Sequence, residues 1–286
     1  MAAPSSFVLR TSSPDQVGIL ARVMGFLADR HLSVGESHDF GDASSGLFFI
    51  WARFEVPDDF DADGFRSEFA AAVASALSME WSLKSTGEKP RALLLASKMD
   101  HCLNDLLFRH RNGRLGADVA AIVSNHEDAR WHADRHELPF HHIPVTKDTK
   151  PAAEQSLLSL IEETGADFIV LARYMQVLSN ELCKKLEGRC INIHHSALPS
   201  FKGARPYHQA HARGVKLIGA TAHFVTADLD EGPIIAQEAI SVDHRASAER
   251  LVEMGRDIES RVLARAVRAH AEGRVFLSGT RTVVFD

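Results

Sequence analysis

Cysteine is scarce: Cys102, Cys183 and Cys190 are the only three in 286 residues, widely spaced and with no C-x-x-C pair. That excludes a disulfide framework and predicts reduced, mostly buried thiols. Cys102 stands near a predicted helix start, but no neighbouring base supports a nucleophile there, so a structural thiol is expected. Runs of positive charge are also lacking, and the net charge is −6. Binding to nucleic acid or to an anionic membrane therefore has no electrostatic support. No apolar stretch reaches the roughly 18 residues of a membrane span. The opening Met1-Ala-Ala-Pro-Ser-Ser6 has neither a basic nor an apolar export region, so a cytoplasmic protein is expected. The sixteen histidines include no H-E-x-x-H and no Cys/His ligand set. His101, His110, His126, His132, His136, His141, His142, His195, His208 and His211 are expected to be solvated or hydrogen-bonded, and no metal is expected.

What remains is an ordinary globular composition, 45% hydrophobic and 24% charged, long enough for two domains. Residues 6–85 carry a βαββαβ rhythm. A strand at Phe7–Leu9 leads to Ser13-Pro14-Asp15-Gln16, which has the form of a capping box with proline at the first helical position. Val17, Leu20, Ala21, Met24, Leu27 and Ala28 then keep helical spacing. Strands are predicted at Ser33–Phe40 and Leu47–Val56, a second helix through Phe65, Phe69, Val73 and Leu77, and a closing strand at Trp81 and Leu83. Thr86-Gly-Glu-Lys-Pro-Arg91 reads as a linker, giving domains at 1–86 and 87–286. Beyond it, apolar runs at Ala92–Ala96, Val119–Val123, Phe168–Ala172 and Cys190–His194 alternate with helical segments. Such runs mark strands buried on both faces, hence a mostly parallel α/β sheet. Further strands are predicted at Ala220–Val225 and Ile234–Ile240, then a long helix through Leu251, Met254, Ile258 and Val262.

In Cys190-Ile-Asn-Ile-His194, Asn192 and His194 lie two apart on a strand and share a face. The strand ends in a turn-rich loop, and ligands of open α/β sheets collect at such ends. An Asn amide can donate to a developing oxyanion, which is worth ~2.7–4 kcal/mol of barrier. A His there can move protons near neutral pH. Asp230, in the turn-forming Asp228-Leu-Asp-Glu-Gly-Pro233, can orient the imidazole or a water. Alone, N-x-H also describes many hydrogen-bonded polar pairs. The residue types by themselves reach only as far as acyl or formyl chemistry.

Asn192-Ile-His194, Leu198-Pro199, Gly203 and Asp228-Leu-Asp-x-Gly-Pro233 resemble the motifs of the formyltransferase fold, shared by glycinamide ribonucleotide and methionyl-tRNA formyltransferases. The family's catalytic Asn, His and Asp fall on Asn192, His194 and Asp230. Asp15-Gln-Val-Gly-Ile-Leu20 resembles the opening of an ACT domain, a ferredoxin-like βαββαβ regulatory module. The two together, with Ser97-Lys-x-x-His101-Cys102-Leu103, Ser124-Asn125-His126, His141-His142-Ile143-Pro144 and Ala172-Arg-Tyr-Met175, resemble the formyltetrahydrofolate deformylase family over essentially the whole chain.

That resemblance implies hydrolysis of 10-formyltetrahydrofolate to tetrahydrofolate and formate, in one-carbon and purine metabolism. The folate is the substrate, and no cofactor is implied. It also implies a pterin pocket near Met175, Gln176, Val177 and Leu178 and near Thr226 and Asp228. A small amino-acid effector at the ACT corner and a homo-oligomer are further expectations. The alternative is formyl transfer to an amine. The glycinamide ribonucleotide enzymes have a glycine-rich, phosphate-cradling first βα turn, whereas this chain has Ala96-Ser-Lys-Met-Asp-His101, without glycine. Such a turn holds its N–H groups further from a phosphate, which favours water as acceptor. A basic tRNA-binding tail of the methionyl-tRNA type is not seen before Asp286.

Overall fold

A computed structural model describes residues 5–196, 198 and 206–286. Pro199 and Gly203, named above, lie outside these residues. The chain divides into two compact units.

The first unit contains β1 (Ser6–Pro14), α1 (Ile19–Ala28), β2 (Ser33–Asp42), β3 (Leu47–Glu55), α2 (Ala62–Phe69) and β4 (Glu80–Ser85). Its sheet has the order β2-β3-β1-β4, every neighbour antiparallel. One face carries Leu9, Ile50, Ala52 and Phe54 against the helices' Val23, Phe26, Leu27, Phe65 and Phe69. Phe26 meets Phe65 and Phe69 edge-on, at centroid distances of 5.3 and 5.2 Å.

The start of α1 differs from expectation. Ser13 and Pro14 are the last residues of β1, paired with Phe48 and Leu47, and Pro14 lies beyond the stretch that pairs with β4. A proline is tolerated there because its missing N–H faces no ladder. The helix opens instead at Gly18, whose φ is +92° and which makes no side-chain cap. It buries Ile19, Val23, Phe26 and Leu27, while Val17, Leu20, Ala21 and Ala28 are exposed. Two overlapping apolar stripes both satisfy helical spacing, and the one with the larger side chains faces the sheet.

The opposite face of β3 presents Phe49 and Trp51, which are also buried. They are covered by the end of the chain: Phe276 packs on Phe49 at 5.5 Å, and the Trp51 indole N–H donates to the Glu272 carbonyl at 3.0 Å. Glu272–Gly279 and Val284–Asp286 therefore belong to the first unit, and the boundary between units falls after Lys89. The sequence-based division after residue 86 assigned that C-terminal segment to the second unit. Burial of a sheet's second face by a remote segment leaves no local signature.

The second unit runs through β5 (Arg91–Ala96), α3 (His101–Arg111), β6 (Asp118–Ser124), α4 (Arg130–His136), β7 (Phe140–His142), α5 (Lys150–Thr164), β8 (Phe168–Leu171), α6 (Asn180–Lys185), β9 (Cys190–His194), α7 (Pro206–Arg213), β10 (Leu217–Phe224), β11 (Ile234–Ser241) and α8 (Ala248–Ala271). After α8 the chain returns to the first unit with β12 (Val275–Ser278), and β13 (Arg281–Val284) follows. The seven-stranded sheet has the order β11-β10-β9-β8-β5-β6-β7. From β9 to β7 it is parallel, and β10 and β11 add antiparallel. The chain leaves β5 towards β6 and β7, then returns to β8 and β9. Order thus reverses between β5 and β8, and a crevice opens beyond the carboxyl ends of the strands at such a point.

Candidate active site

The segment after β8, the end of β9 and the turn after β10 meet at a cavity there, and the turn after β5 braces them through Ser97. The glycine-free turn after β5 is held by Ser97, buried, whose hydroxyl donates to Asn125 Oδ1 at 2.6 Å and accepts from the Met175 N–H at 2.9 Å. It pins the segment after β8. Leu171, Arg173 through Leu178, Asn192 through His195, His223, Val225, Thr226, Leu229 and Asp230 line a cavity of about 210 Å³. That is below the ~300–1,000 Å³ of whole-ligand pockets, so it suits the reacting end of a larger molecule. Met175, Gln176, Val177, Leu178 and Thr226 are thus among the lining residues. Asp228 does not line the cavity; its carbonyl accepts from the Thr226 hydroxyl at 3.0 Å and shapes the turn.

Asn192, His194 and Asp230 come together. Asn192 and His194 project from β9, and Asp230 arrives from the turn after β10. Asp230 has a positive φ of 59°, a conformation that Asp tolerates better than most residues. The turn lies close to its own strand: the Phe224 N–H donates to the Pro233 carbonyl at 2.9 Å, and a Cβ on Gly232 would stand 1.8 Å from the Phe224 oxygen. This close approach brings Asp230 Oδ2 to 3.2 Å from His194 Nδ1. A carboxylate only accepts, so His194 donates from Nδ1 and, when neutral, keeps a lone pair at Nε2. The hydrogen bond from His194, followed by His223, holds the Asp230 carboxyl well below the usual range. Asp230 is therefore ionised at neutral pH.

His223 was missed from the sequence. It stands directly across from Asn192 in the β9–β10 pair, and its Nδ1–H donates to the Phe224 carbonyl at 2.8 Å. Its Nε2 lies 3.3 Å from the Asn192 amide nitrogen and 3.6 Å from Asp230 Oδ1. A neutral ring accepts one Asn192 amide hydrogen there and leaves the second N–H for a ligand, whereas a charged ring donates to the carboxylate. The period-2 placement of Thr221 and His223 in an otherwise apolar run was the available signal.

A second group, also missed, lies behind the first. Glu259 of α8 is 1% exposed. It accepts from His101 Nε2 and from the Tyr207 hydroxyl, both at 2.8 Å, and its Oε2 lies 3.4 Å from Arg173 Nε. Arg173 in turn donates to His195 Nδ1 at 3.1 Å. His101, Cys102 and Glu259 are the one group among the described residues whose ligand atoms could share a metal, within 4.8 Å of one another. Glu259 is engaged by two donors and faces a guanidinium, while burial pushes the Cys102 thiol upward, so these residues do not fit a metal. Burial also disfavours a nucleophilic Cys102. Other histidines expected to be bonded have partners: His110 the Ala117 carbonyl, His132 Asp100, and His142 Glu127.

Asn192, His194 and Asp230 thus share one polar wall at a strand end of this sheet. The formyl transferase family model matches residues 90–267. Within that class the chain belongs to the formyltetrahydrofolate deformylase family. A formyltetrahydrofolate deformylase of Corynebacterium sp. (strain P-1) is 51% identical over 280 residues, 97% of each chain. A crystal structure of a formyltetrahydrofolate deformylase from Burkholderia mallei ATCC 23344 superposes with a TM-score of 0.94 at 51% identity, covering 99% of this chain and 100% of that one. Glycinamide ribonucleotide transformylase 1 from Symbiobacterium toebii gives a TM-score of 0.65 at 32% identity, over 72% of this chain and 98% of that one.

Proposed function

We propose that the protein hydrolyses 10-formyltetrahydrofolate to tetrahydrofolate and formate, and that Asn192, His194 and Asp230 carry the reaction. The observation behind this is the hydrogen-bonded His194–Asp230 pair beside the Asn192 amide, on one cavity wall. Family membership over nearly the full chain supports the substrate. Water attacks the formyl carbon and gives up a proton to His194 Nε2, while Asp230 holds the Nδ1–H. The free Asn192 N–H stabilises the oxyanion. The adduct then collapses, the C–N bond breaks, and the leaving nitrogen takes the proton from His194. Formate and tetrahydrofolate leave.

The folate ring system is assigned to the Met175–Leu178 and Thr226 side of the cavity. No cofactor or metal enters the scheme. The first unit, with its βαββαβ order and antiparallel sheet, supports an ACT-type module. We assign to it a small amino-acid effector near Asp15–Gly18 and self-association of the chain. A cytoplasmic role in one-carbon and purine metabolism, with no nucleic-acid or membrane partner, accords with the net charge of −6. Among the described residues, no helix is long and apolar enough to cross a membrane.

Incubation with 10-formyltetrahydrofolate and no acceptor tests the proposal. Steady, stoichiometric formate and tetrahydrofolate are expected, and Asn192→Ala and Asp230→Asn should each lower the rate ~10²-fold or more. Turnover only after addition of an amine would make the protein a transferase. Near-parental turnover in either variant would remove that residue from the mechanism.

A further inference from the structure

The residue after His194 has the opposite electrostatic environment. The rings of His194 and His195 stack with centroids 4.7 Å apart and 26° between planes, and both line the cavity. The partner at His194 Nδ1 is a carboxylate, which only accepts; the partner at His195 Nδ1 is a guanidinium, which only donates. His194 must carry hydrogen at Nδ1, whereas His195 Nδ1 must offer a lone pair. A neutral His195 therefore carries its single hydrogen at Nε2. Two stacked imidazoles thus present unlike atoms, an acceptor Nε2 on His194 and a donor Nε2–H on His195.

The guanidinium is held in place from behind. Arg173 is 9% exposed and adopts a positive φ of 64°, a strained conformation that persists only where surroundings impose it. Its side chain runs past Glu259 and also donates to Met99 Sδ at 3.5 Å. Glu259 is fixed by His101 and Tyr207, and the Tyr207 ring fills the space above Gly255, where a Cβ would come within 2.1 Å of Cζ. A buried ion pair of this kind is weak evidence for stability, since desolvation offsets most of the attraction. What it does here is place a fixed donor against one nitrogen of a cavity-lining histidine.

We propose that His195 is a further catalytic residue, held by Arg173 as the Nε2–H tautomer and donating a hydrogen bond to the formyl oxygen as the tetrahedral adduct forms. This rests on the deformylase reaction given above. Burial first, then the Arg173 and His194 charges, push protonation of His195 down to about 4, against the pull of Glu259 and Asp230. The ring is neutral at physiological pH and has no acidic proton to give. A neutral imidazole is suited to stabilising an oxyanion without proton transfer, leaving the shuttle to His194. Arg173 and Glu259 act through His195 and are positioning residues.

Two measurements on the full chain test this. Proton–nitrogen correlation spectra of ¹⁵N-histidine-labelled protein, with His195 assigned from its loss in His195→Gln, should show a neutral Nε2–H ring at pH 7. In Arg173→Met, its protonation should move up from about 4 towards the ordinary 6.5. Kinetically, His195→Ala should lower kcat ~10²–10³-fold with KM nearly unchanged, the pattern for a contact made in the transition state. His195→Gln, which returns an N–H, should recover about tenfold of that loss. An Nδ1–H or charged ring at pH 7 overturns the proposal, and so does a kcat for His195→Ala within about threefold of the parent. If the alanine variant does not fold, the spectra of the parent still decide. If Asn192→Ala and Asp230→Asn also retain turnover, the reaction assignment fails as well; if only His195→Ala does, the failure is confined to His195.

Discussion

Gly232→Ala is expected to disable the site through one methyl group, two residues from the carboxylate it would displace. Its Cβ would stand 1.8 Å from the Phe224 carbonyl oxygen and 2.9 Å from the carbonyl carbon. Real Cβ contacts essentially never fall under 3.0 Å, so the turn must move by at least ~1.2 Å, an overpacking that costs about 1–3 kcal/mol. Phe224 is held from the other side by its pairing with Ile191 of β9, so the turn is expected to yield first. Movement of the turn carries Asp230 with it, from 3.2 Å to beyond about 4 Å from His194, where no hydrogen bond remains. A misplacement of ~1 Å costs about 10²-fold in rate. The assay is formate release under saturating substrate, alongside urea unfolding. A variant whose stability falls while kcat stays within about threefold of the parent would refute the link between this close approach and the placement of Asp230.

Three further outcomes are expected. Glu259→Ala leaves Arg173 buried beside no carboxylate and should cost ~3–5 kcal/mol in chemical denaturation; a loss under about 1 kcal/mol would mean that water replaces it freely. Asp230 has its pKa depressed in the folded state, so its contribution to stability is complete above the unfolded value of ~3.9 and is lost as pH falls through the folded one. Urea midpoints below about pH 4 should therefore fall more steeply in the parent than in Asp230→Asn, and parallel curves would contradict this. Removing residues 272–286 uncovers Phe49 and Trp51. It should lower the melting temperature of the first unit, which calorimetry would detect.

Periodicity made much of this molecule legible. The βαββαβ spacing of the first unit and the continuous apolar runs of β5, β6, β8 and β9 correspond to elements of the structure. The N-x-H pair stood out because polar residues two apart in an apolar strand share a face. What stayed hidden depends on contacts between distant segments. The helix face of α1 was ambiguous because two stripes overlap, and β7, three residues long, was too short to register. Arg173 stood only within the Ala172-Arg-Tyr-Met175 motif, and nothing local assigned it a partner. Glu259 had a local signature: it lies four residues after Gly255 and three before Val262, inside the buried stripe of α8. A glutamate there requires a buried partner, which the apolar stripe did not identify.

The C-terminal segment over Phe49 and Trp51 has a consequence for how the chain is made. The first unit emerges first from the ribosome, yet the cover for one face of its sheet lies beyond residue 271. At ~5–20 residues per second, synthesis of the intervening second unit takes roughly 10–40 s. Throughout that interval a nascent four-stranded sheet carries an uncovered aromatic face, the kind of surface that chaperones bind and that aggregates form from. The part translated earliest is thus completed last, after the catalytic sheet has had time to form.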